Sequence, residues 1–87
     1  MRELLEALKT KMVAQPGFEI IFKFSEPLRD NNEYNWTIPY SPQDEDIYRT
    51  IGEIGDDFIC FGERAGSSLV ELCTPFSNIV RIGYLDD

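Results

Sequence analysis

Cys60 and Cys73 are the only thiols in the chain, and there is no histidine. With neither a CxxC pair nor a histidine, zinc-finger spacing and histidine-based acid–base chemistry are both excluded. Each cysteine sits in an apolar, strand-like run. One reading makes them two reduced, buried small hydrophobes, the usual place of a free cysteine. The other makes them a cross-strand disulfide, provided a hairpin turns near Gly66. The sequence does not fix the register and leaves both readings open.

Carboxylates are the next reactive groups. Asp44, Glu45 and Asp46, together with Asp56 and Asp57, offer oxygen atoms of the kind a hard cation takes. The spacing is not that of an EF-hand, and a solvated acidic loop plus a turn accounts for them without a metal. Paired carboxylates can act as acid and base, but no nucleophile partner or cofactor fingerprint accompanies these. Ser67, Ser68 and Ser77 have no base to activate them. The expectation is a protein that is not an enzyme, with no catalytic residues, no metal and no cofactor.

Four aromatic residues, Tyr34, Trp36, Tyr40 and Tyr48, combine large apolar rings with polar handles. Such residues are enriched at protein interfaces and also stack on bases. They are candidates for a partner or subunit contact. The competing reading has Trp36 and Tyr48 completing a small core. Base stacking is the weakest of the three, because only Arg29 and Arg49 lie nearby to neutralise phosphate.

The whole chain carries eight basic and sixteen acidic residues, a net charge of −8. Nucleic-acid affinity comes largely from Lys and Arg releasing counterions, so an acidic surface opposes it unless its few cations share one face. Net charge speaks to solubility and association rather than to fold. Eighty-seven residues make one domain, and a chain of this size buries only about 60–65% of its unfolded surface. A subunit interface would therefore add useful stability.

The elements that must position these groups follow from periodicity. Residues 1–15 read as a capping amphipathic helix, with Leu4, Leu5, Leu8 and Met12 at three- and four-residue steps. Gln15-Pro16-Gly17 ends it. Glu3, Glu6, Lys9 and Lys11 interrupt any signal-like apolar run, and no stretch approaches a membrane span. No membrane association and a cytoplasmic or virion-internal location are expected. Residues 18–24 alternate strictly, Phe18, Ile20, Phe22 and Phe24 against Glu19 and Lys23, and read as the first strand. Residues 25–46 form a long loop or a hairpin insertion, with 34–38 able to supply an extra strand. Residues 47–85 read as a bent antiparallel meander through turns at Gly55-Asp56-Asp57, 62–68 and 75–78, with the positive φ of a tight turn expected of the Gly-Asp-Asp group.

The order of helix, strand, long loop and three strands, with a one-turn break before the last, resembles Sm-like (SH3-like) small barrels. The likeness rests mainly on residues 47–85, above all Gly55-Asp56-Asp57-Phe58-Ile59 and Thr74-Pro75-Phe76-Ser77-Asn78-Ile79-Val80. It implies a mainly β (α+β) fold: a five-stranded antiparallel barrel with an N-terminal helix. It also implies assembly into a ring or dimer, because such barrels leave strand edges that neighbouring subunits pair with. RNA-binding members carry an Arg-Gly or Lys-His pair near the last strand, where this chain has Ser77-Asn78, so nucleic acid is a doubtful partner. The expectation is a non-enzymatic homo-oligomeric assembly or interaction module. The alternative is a single-stranded RNA- or DNA-binding protein of Sm-like or OB type.

Overall fold

A computed structural model describes residues 1–29, 32–40 and 49–86. The helix α1 (Arg2–Ala14) buries Leu5, Leu8 and Met12, while Leu4, one step off the stripe, is exposed. Glu3 in its first turn and Lys11 in its last suit the helix dipole. Gln15 is extended, and Gly17 takes φ 86°, a conformation cheap only for glycine, which turns the chain into the first strand.

Strand β1 (Glu19–Phe24) buries Ile20, Phe22 and Phe24 on one face, as its alternation requires. Strand β2 (Asn35–Ile38) pairs antiparallel with it, Phe22 opposite Trp36. Pro39 lacks an N–H to continue a ladder, which explains why β2 stops after four residues. Strand β3 (Arg49–Ile54) pairs with β4 (Phe58–Ala65), and β4 with β5 (Ser68–Pro75). Gly66, at φ 66°, takes the first central position of the two-residue β4–β5 turn, the sign a type II′ hairpin needs. A single 3-10 turn, Phe76–Asn78, then carries the chain to β6 (Ile79–Leu85), which pairs with β1.

The five-stranded closed barrel expected from the sequence is not what forms. Among the described residues, six strands make two open three-stranded sheets, ordered β2-β1-β6 and β3-β4-β5. The stretch 25–46 contributes β2 as an additional strand, and β6 leaves the meander for the first sheet. Closing a barrel requires a continuous ladder around the circumference. Among the described residues neither β2 with β3 nor β5 with β6 shares one.

The core fills the space between the sheets. Phe61 meets Phe22 edge-on, with centroids 5.1 Å apart, and Phe24 at 5.8 Å. Trp36 packs against Phe61 at 5.6 Å, and α1 covers one end with Leu5, Leu8 and Met12 in the same cluster. Two polar contacts fix the helix: Lys9 Nζ donates to the Gly52 carbonyl at 2.7 Å, and Arg2 pairs with Asp56. No described helix is long and apolar enough to cross a membrane.

Gly55 is a glycine for space, not for φ. Its backbone is not in the positive-φ region, but a Cβ there would fall 2.0 Å from Cε1 of Phe58. Its N–H donates to the Phe58 carbonyl at 2.9 Å, drawing the ring over the turn.

Candidate functional site

As the central strand of its sheet, β4 sends Ile59, Phe61 and Glu63 to one face. Glu63 is only 1% exposed. A carboxylate buried alone would cost several kcal/mol, so the cations around it are structurally required. Arg49, directly opposite in the β3–β4 ladder, donates from Nε to Glu63 Oε2 at 2.9 Å, and Arg29 pairs with Oε1. Arg49 also reaches Glu33 at 2.5 Å and lays its guanidinium carbon 3.9 Å from the Trp36 ring centroid. Burial alone would lower the Arg49 pKa. Its hydrogen bonds to Glu63 and Glu33, with their negative charges, outweigh that and hold it above the ordinary arginine value. With Glu63 shared between two guanidiniums and Arg49 between two carboxylates, the cluster is a clasp rather than an acid–base site.

The four aromatic candidates separate. Trp36 lies in the core. Tyr34 is exposed, and its carbonyl accepts the Phe24 N–H at 2.8 Å. Tyr40 is half-buried, and Tyr48 lies outside the described residues. Of the carboxylates, Asp44, Glu45 and Asp46 also lie outside them. Asp56 and Asp57 are exposed in the β3–β4 turn, where Asp56 is taken by Arg2 and the Asp57 carbonyl accepts the Phe76 N–H at 2.8 Å. The cysteines take the disulfide alternative: Cys60 and Cys73 are directly opposed in the β4–β5 ladder and bridged.

Sequence reasoning missed the surface that stands out most. Leu69 on β5 and Val80 and Tyr84 on β6 are 64%, 59% and 57% exposed, the largest values for big apolar side chains among the described residues. Both strands are sheet edges, and only the 3-10 turn separates them in the chain. The β-branched and aromatic content of 79–85 signals a strand, but nothing in it tells an edge from a centre. Asn78 pins the turn between these edges. Its Oδ1 accepts the Glu26 N–H at 2.8 Å, and its Nδ2 donates to the Glu26 carbonyl at 3.0 Å and to Thr74 Oγ1 at 2.9 Å. Beside it opens a cleft of about 370 Å³ lined by Glu26, Leu28, Cys73, Thr74 and Ser77, among others.

Cations available to a polyanion are sparse. Lys23 and Arg81 face each other across the β1–β6 ladder, both exposed, and neither is ion-paired among the described residues. In comparisons with family models, curated proteins and solved structures, none matches this chain.

Proposed function

We propose that this protein is a non-enzymatic assembly module whose partner is a second copy of itself, docked through the β5 and β6 edges into a dimer or ring. The observation that carries this reading is the unequal treatment of the two seams between the sheets. At the β2–β3 seam, Arg49 bridges to Trp36 and Glu33. The β5–β6 seam instead carries, among the described residues, the most exposed apolar side chains, on two strands whose outer backbone edges pair with no other described strand. Open apolar edges invite pairing with another chain, and a β5-to-β6 contact repeated head to tail closes a ring, whereas a self-paired edge gives a two-fold dimer. The 3-10 turn ahead of the last strand supports the Sm-like resemblance, with its implied edge-to-edge assembly, without requiring a closed barrel.

Charge gives this reading a signature. Copies of net charge −8 repel one another, and salt screens that repulsion, so assembly should tighten as salt rises. The alternative, single-stranded nucleic-acid binding, draws support from the Lys23–Arg81 pair and has the opposite salt dependence. Leu69→Lys and Val80→Lys, each placing a charge on an exposed edge position, test the proposal. Both should lower the solution mass toward that of the monomer while leaving the melting temperature of the fold near its original value. Unchanged mass in both variants would count against it.

A further inference from the structure

We propose that, when the Cys60–Cys73 bridge is reduced, the two thiolates and the Glu71 carboxylate form a three-ligand site for a soft divalent cation of the zinc class. The ligand atoms of these three residues already lie within 4.8 Å of one another. They share one face of the β4–β5 hairpin: Cys60 and Cys73 are opposed in register, and Glu71 is two residues before Cys73 on the same side of β5. Glu71 Oε1 stands 3.8 Å from Cys73 Sγ, and a bridged sulfur has no hydrogen to give it.

Two glycines border the three ligands. Glu71 faces Gly62 across the ladder, so its direct partner has no side chain, and the methyl groups of Thr50 and Leu69 that flank Gly62 offer no competing ligand. Gly52 brings no side chain against Cys60, where a Cβ would lie 3.8 Å from that of the cysteine. Cys73 and Glu71 are both exposed, which gives an ion a path to the buried Cys60 thiol. Among the described residues no lysine or arginine is ion-paired with Glu71.

The chemistry balances as follows. A dithiol or phosphine reductant breaks the S–S bond by supplying two electrons and is itself oxidised, to a disulfide or a phosphine oxide. Two protein thiols result. The cation then displaces a proton from each thiol and bonds to both sulfurs, while Glu71 contributes one oxygen. Zinc accepts thiolates at about 2.3 Å and carboxylate oxygen at about 2.0–2.2 Å, and three protein ligands leave its fourth position for water. Two thiolates select the soft end of the divalent series over Mg²⁺ or Ca²⁺. Oxidation would expel the ion, so disulfide and metal are mutually exclusive states of one site.

The test is calorimetric titration of the full chain with Zn²⁺, in its oxidised form and after reduction with a non-chelating phosphine. The expected result is one ion per reduced chain and none per oxidised chain. Glu71→Gln, a surface change that leaves the hairpin intact, should weaken binding about tenfold or more, and Zn²⁺ should raise the melting temperature of the reduced chain only. If reduction merely unfolds the protein, its thiols chelate metal without help from Glu71, and Glu71→Gln would match the parent. That outcome, failure of the reduced chain to bind, or equal binding by the oxidised chain would each overturn the proposal.

Discussion

The Arg49 guanidinium lies 3.9 Å from the centre of the Trp36 ring, and this pair joins two strands that no backbone ladder connects. Trp36 belongs to the edge strand of one sheet and Arg49 to the edge strand of the other. A planar cation over an indole face is worth about 0.5–2 kcal/mol, the more so when partly desolvated, and Arg49 is largely buried. The ion pair from Arg49 to Glu33 holds the seam further, while the hydrogen bond to Glu63, within the second sheet, fixes the guanidinium in place. Arg49→Lys keeps the charge but loses the flat stacking surface and the fork of donors. It should cost about 1–2 kcal/mol in urea denaturation and shift the fluorescence of the single tryptophan.

Glu63 is the buried partner on which both arginines converge. Glu63→Gln removes the charge and leaves Arg49 and Arg29 facing a neutral group, so a loss on the order of 3 kcal/mol is expected. Because the Arg49 pKa is raised by folding, its own contribution is present at every pH below the ordinary arginine value and is lost only as strong alkali passes the raised value. Denaturation midpoints of the parent between mildly acid and mildly alkaline pH should therefore show no step due to Arg49.

Trp36→Ala separates core from contact. Its burial among Phe24 and Phe61 predicts a loss of about 3–5 kcal/mol, enough to unfold much of a domain this small. Circular dichroism should show that loss before any change in assembly can be read. A variant that folds normally but fails to assemble would contradict the core role.

Asn78 acts as a short piece of strand, accepting from and donating to the backbone of Glu26. Asn78→Ala removes three partly exposed hydrogen bonds and should cost about 1–2 kcal/mol. Asn78→Asp keeps only the acceptor and should recover less than half of that, as chemical denaturation would measure.

The sequence carried the local structure well and the global closure poorly. Alternation at 18–24 and the three- and four-residue steps of Leu5, Leu8 and Met12 identify β1 and α1, because one-sided burial writes itself into local spacing. Whether Ile79–Leu85 stays in the meander or crosses to β1 depends on pairing between residues some 60 positions apart, such as Phe22 with Ile82, which no local pattern encodes. The same limit hid the Arg49–Glu63 clasp, since its partners are brought opposite by a register with a bulge between Ile51 and Ile54. Gly55 was legible as a turn glycine but for the wrong reason: the Phe58 ring, not a positive φ, excludes a side chain there.

Light scattering of the parent chain, at several protein concentrations and across a series of salt concentrations, tests the assembly proposal most directly. The account predicts a mass above that of the monomer which grows with protein concentration and with salt, as screening lifts the repulsion between acidic copies. A monomeric mass at every concentration and every salt would contradict it.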